Sequence, residues 1–210
     1  CVMSIVTYNN RSIANISAIP GAAESLTHIK TLTASSSATL SFVNGSSDVV
    51  LDSTYPIYLF KFINIHPATD GVDFTFQGST DTGSNYGVTT THAYFNAYHN
   101  EGGSAASLGY ETVADLAQST NEIELIREQK LSGDNDHCGT GELFLFNPSS
   151  TTFVKHYISR TQANHNADYS MDSYIGGYLN TTSAIDAIRF KVNSGNIDAG
   201  TIKLYGLKDS

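Results

Sequence analysis

The chain has 210 residues, 40% of them apolar and only 15% charged, with 20 acidic side chains against 11 basic ones for a formal net charge of −9. That length fits one domain with a substantial core, and the acidic balance argues against nucleic acid as a partner, because phosphate binding needs lysine and arginine to displace counterions. No apolar run approaches the roughly twenty residues of a membrane-spanning helix, and two cysteines, Cys1 and Cys138, are too few for a disulfide framework.

Residues 1–25 read as an extended N-terminal arm. Ile13, Ile16 and Ile19 recur at a spacing of three, but their β-branching and the following Pro20 oppose a helix. Such an arm can add a strand to a neighbour's open sheet edge, with Ile5, Val6, Ile13 and Ile16 as its contacts, or it can lie on its own domain. From Leu26 to Thr80 the apolar residues recur at period two: Ile57 and Leu59 against Tyr58, Phe60 and Phe62, then Val72, Phe74 and Phe76 against Asp73, Thr75 and Gln77. Half-buried strands have this period. The intervening Asn44-Gly45-Ser46-Ser47, Asp52-Ser53 and His66 to Gly71 supply the dihedrals of chain reversals, so a β-meander is expected here.

Gly87 to His99 is a further strand with aromatic residues on both faces. In the less regular stretch that follows, ETVADLAQ has the pattern of a short helix with Val113, Leu116 and Ala117 inward, and NEIELIRE that of a strand. Leu131 to Thr140 is a loop by composition. The β pattern then resumes in ELFLFN, TTFVKHYISRT, Tyr169 to Thr181, AIDAIRFKVN and GTIKLYGL, with Gly176-Gly177 marking a bulge or a close backbone approach. About ten strands at this spacing, with no fixed-period repeat, predict an all-β, two-sheet β-sandwich of jelly-roll type over residues 26–210.

The densest ligand-like cluster is Asp134-Asn135-Asp136 with His137, Cys138 and Glu142, but it fits neither the register of a calcium loop nor zinc spacing, and a solvated turn is expected. The seven histidines are scattered singly, and no nucleophile elbow is present, so no catalytic residue is assigned. His92 and His156 are placed on strand faces. Glu122 and Glu124 are the nearest thing to a paired-carboxylate site, and spacing alone does not bring them together. Tyr86, Tyr94 and Tyr98, if exposed, could stack on sugars or contact a partner, but without any tryptophan as a sugar platform, tyrosines as core or interface filler are the favoured reading. No metal and no cofactor is called for by these residues.

The phrases TLTASSSATLSF, LDSTYPIYLFKFINIHPATDGVDFTFQ and SGNIDAGTIKLYGL together resemble a family of virion structural proteins of marine and freshwater bacteriophages, over Leu26 to Leu207. The resemblance implies a small jelly-roll protein, associated with capsid or tail, whose partners are copies of itself, in a trimer for instance, and other virion proteins such as the major capsid or tail protein. A capsid decoration protein is the first expectation. A tail or head fibre that binds a host surface glycan, or an extracellular filament subunit joined by strand exchange of the arm, are the alternatives.

Overall fold

The period-two runs become strands because each can hide one row of side chains in a core while the other row faces outward. The computed structural model describes residues 26–165 and 167–208, and these form thirteen strands: β1 (Leu26–Thr33), β2 (Leu40–Val43), β3 (Ile57–Pro67), β4 (Val72–Ser79), β5 (Thr90–Asn100), β6 (Ala106–Tyr110), β7 (Leu116–Ser119), β8 (Ile123–Leu131), β9 (Gly139–Phe146), β10 (Lys155–His165), β11 (Tyr169–Leu179), β12 (Ala187–Val192) and β13 (Ile197–Leu207). They make two antiparallel sheets. The larger runs β1-β13-β3-β9-β10-β11-β5-β6, with β7 also on β5, and the smaller runs β2-β12-β4-β8. The two layers form a sandwich. Residues 1–25, and with them Ile5, Val6, Ile13 and Ile16, lie outside the described residues.

The expected meander from Leu26 to Thr80 is not what forms. Successive strands there alternate between sheets, β1 and β3 in the larger and β2 and β4 in the smaller, so none pairs with its neighbour in sequence. The pairing is nested instead: β1 with β13, β2 with β12, β3 with β9, β4 with β8. Two further pairs, β13 with β3 and β12 with β4, close each layer. β5, β6, β7, β10 and β11 are additions that widen the larger sheet. The segment expected as a short helix at ETVADLAQ is a turn leading into β7, which pairs with β5.

Phe190 on β12 sits at the centre of the core. Its ring lies 5.2 Å from those of Phe60 and Phe62 and within about 6 Å of Phe42, Phe74 and Phe76, mostly edge-on. All six are buried. Beside this ring cluster the core turns polar, where β5, β10 and β11 pack under β8. Tyr94 donates to Ser173 Oγ at 2.8 Å, Thr161 donates to the Leu125 carbonyl at 2.6 Å, and Thr90 lies 2.9 Å from the Tyr157 hydroxyl. Buried polar atoms of this kind are tolerable because each is paired. Gly177 belongs to the same region: a Cβ there would run into His92 and the Thr91 carbonyl, so glycine permits the close approach of β11 to β5. Register is unbroken through Gly176-Gly177, which makes this a close approach and not a bulge.

Candidate functional site

Along the outward register of the larger sheet, cross-strand neighbours line up in rows. One row crosses seven strands, from Lys203 on β13 through Lys61, Glu142, Arg160, Tyr174 and Phe95 to Tyr110 on β6. Its two ends differ in chemistry.

Towards β6 the row is aromatic. Phe95 and Tyr174 stack face to face, 4.9 Å between centroids and 4° between planes. The Arg160 guanidinium lies 5.1 Å from the centre of the Tyr174 ring and grips Asp172 in a fork, Nε to Oδ1 at 3.0 Å and Nη2 to Oδ2 at 2.6 Å. Asp172 also accepts from the Tyr174 hydroxyl at 3.0 Å, and these bonds, Arg160 first, hold its carboxyl below the ordinary range. The neighbouring row carries Phe144, Ile158, Gly176 and Ala93, and above Gly176 the space is open. Exposure is high for such side chains: 43% for Phe95, 54% for Tyr110, 56% for Ile158 and 72% for Leu108. Phe95, Leu108 and Tyr110 lie on the adjoining strands β5 and β6 and form an apolar patch, while Ile158 stands two strands away on β10, across the open space above Gly176.

Towards β13 the row is charged. Lys203 and Lys61 oppose each other across β13 and β3, and Lys61 Nζ reaches Glu142 Oε2 at 2.6 Å. A groove of about 500 Å³ opens over this end, lined by Leu26, Lys61, Ile63, Arg160, Lys203 and Tyr205 among others.

The three tyrosines considered as sugar or partner contacts fall in three different environments. Tyr94 is wholly buried and its hydroxyl is spent on Ser173, so it contacts neither sugar nor partner; that expectation is corrected, because the aromatic row of β5 that points inward is the one carrying Tyr94. Tyr86 is half-buried in the loop before β5, with one ring face taken by the Arg189 guanidinium at 4.3 Å. Tyr98, also half-buried, meets the Tyr169 ring edge-on at 5.4 Å. The three do not converge on one platform.

His92 is buried, not at a surface contact. Its Nε2–H donates to the Ala114 carbonyl at 2.9 Å, and its Nδ1 accepts from the Tyr157 hydroxyl at 3.1 Å. Burial lowers its pKa and so favours the neutral ring, for which this carbonyl and hydroxyl supply an acceptor and a donor. His156 is exposed beside Tyr178. Within the acidic cluster, His137 stands 4.0 Å from Asp134 and 3.9 Å from Asp136, while Glu142 is turned to the opposite groove and its lysine. Cys138 is free, and burial raises its pKa. Among the described residues no three His, Cys, Asp or Glu side chains converge as a metal site. Glu122 is bound to Lys191 at 2.6 Å and accepts from Thr75, and Glu124 lies 3.2 Å from Arg127, so each is engaged with a cation.

None of Arg160, Lys203, Phe95 or Ile158 stands out in the sequence. Each is an ordinary outward residue of its own strand, and only the register between distant strands assembles them. Comparison with family models, with curated proteins and with solved structures finds no match for this chain.

Proposed function

We propose that this chain is a jelly-roll structural subunit that works by packing against further copies of itself on a virion, as a capsid decoration protein. The observation that carries the packing is the exposed apolar surface of Phe95, Leu108 and Tyr110 at the β6 end of the larger sheet, with Ile158 exposed on β10 nearer its middle. Burying apolar surface of this kind is worth about 25 cal/mol per Å², and symmetric copies of one subunit multiply the gain. Among the described strands β6 ends the sheet, so the same region also offers a strand edge to a neighbour. The nested pairing of β1 to β4 with β13, β12, β9 and β8 is the order a long antiparallel hairpin takes when it is rolled into two layers, which supports the jelly-roll reading. The virion setting rests on the three sequence phrases described above.

Light scattering on the eluting full-length chain tests the packing. The wild type is expected to elute as an oligomer, and Ile158→Asp or Phe95→Asp as a monomer with an unchanged circular dichroism spectrum. A wild type that stays monomeric at every concentration overturns the packing, and absence of the chain from purified particles overturns the virion setting.

A further inference from the structure

We propose that the groove at the β13 end of the larger sheet binds an acidic polysaccharide, through Lys203 and Lys61. The starting observation is an electrostatic oddity. Lys203 and Lys61 are direct cross-strand partners, and like charges in that position are unfavourable. Lys61 is offset by Glu142, but among the described residues no carboxylate lies within ion-pair distance of Lys203. The chain has 11 basic residues against 20 acidic ones, yet Lys61, Lys203 and Arg160 all line this one groove. Glu142 and Asp172 in the same groove offset Lys61 and Arg160, so the excess positive charge there is that of Lys203, and in a strongly acidic protein it selects an anion at that spot.

The rest of the lining narrows the class of ligand. Thr140 and Gln162 supply neutral donors and acceptors, while Glu142 and Asp172 supply carboxylates to which sugar hydroxyls can donate. An acidic homopolymer such as polyglutamate has no hydroxyls to donate to those carboxylates, so nothing offsets their repulsion of its own charge. Leu26, Ile63 and the half-buried Tyr205, whose ring meets that of His28 edge-on at 5.3 Å, provide apolar surface for the C–H faces of a sugar ring. The groove lies on an open sheet face, which suits a stretch of polymer. The ligand class is therefore a uronic acid polysaccharide, its carboxylate between the two lysine amines. This site lies apart from Tyr86 and Tyr98; its lysines stand on β13 and β3, while Arg160 at its margin shares β10 with the exposed Ile158.

Affinity electrophoresis of the full-length chain in gels containing polygalacturonate tests it, with dextran and polyglutamate as comparison polymers. Polygalacturonate is expected to retard the chain and the other two are not. Lys203→Gln should weaken the binding about tenfold, as loss of one charge-assisted hydrogen bond does, and should leave the melting temperature unchanged or slightly higher because a like-charge pair has been removed. Lys61→Gln should weaken it by a similar factor. No retardation by polygalacturonate, retardation of both variants as strong as that of the wild type, or equally strong binding of polyglutamate would each overturn the proposal.

Discussion

Phe190 touches five other phenylalanine rings, and no neighbour can move in to replace it without leaving another gap. Phe190→Ala is therefore expected to cost about 3–5 kcal/mol in a urea unfolding titration. His92 gives a pH dependence of definite sign. The unfolded chain takes up a proton near pH 6.5 while the buried ring resists it to lower pH, so this contribution is complete above pH 6.5 and is lost as the pH falls below it. Unfolding free energies measured from pH 7.5 downward should show this slope, and His92→Gln should flatten it. At the alkaline end the buried tyrosines act oppositely. Burial pushes Tyr58 up to about 12, and Tyr94 and Tyr157 higher still, so stability should fall as the pH rises past the ordinary value of 10. A spectrophotometric titration should find these phenols ionising late, together with unfolding. Among single residues the sequence is most legible where apolar alternation is unambiguous, as at Val72, Phe74 and Phe76. It misleads at Tyr94, because both faces of β5 carry aromatic rings and the buried face is the one with Thr90, His92 and Asn96, whose polar atoms find partners only in the folded chain.

At the scale of strands, β11 and β4 show what a pattern contains and what it omits. Gly176 and Gly177 are adjacent and look equivalent in sequence, but one faces open space and the other lies against the backbone of β5. Gly176→Ala should be nearly neutral, while Gly177→Ala should destabilise by about 1–3 kcal/mol through overpacking, a contrast that thermal melts of the two variants can read directly. β4 alternates apolar and polar residues as a half-exposed strand would, yet all eight of its residues are buried. The polar row is covered by Asn193 on Asp73, Glu122 on Thr75 and Arg189 on Gln77. Alternation thus identifies the strand and its inward face, but what covers the outer face comes from β12 and the residues before β8. The same limit explains the mistaken meander. Turn residues at Asn44-Gly45 and Asp52-Ser53 announce that the chain reverses, but not whether it returns to the same sheet or crosses to the other.

At the scale of the molecule, the outer wall of the larger sheet is divided, apolar near β6 and charged near β13. Under the two proposals above, one end would be buried against further copies while the other stayed open to a ligand. Combining Ile158→Asp with Lys203→Gln should therefore lose assembly and polysaccharide retention independently, each by the amount seen in the single variant. A sandwich of this strand content was legible from period and turn spacing, whereas the division was not, since it depends on aligning residues as distant in sequence as Lys61, Arg160 and Lys203.

The nested pairing also fixes an order of events while the polypeptide is being made. β4 and β8 can meet early, but β1 and the free flank of β3 must wait for β13, which is made after the other twelve described strands and fits between them. Contacts this remote in sequence make for slow folding, and until they close, two strand flanks stand open to any other nascent copy nearby. A translation product stopped short of Ile197 should accordingly collect as aggregate instead of surviving as a smaller sandwich.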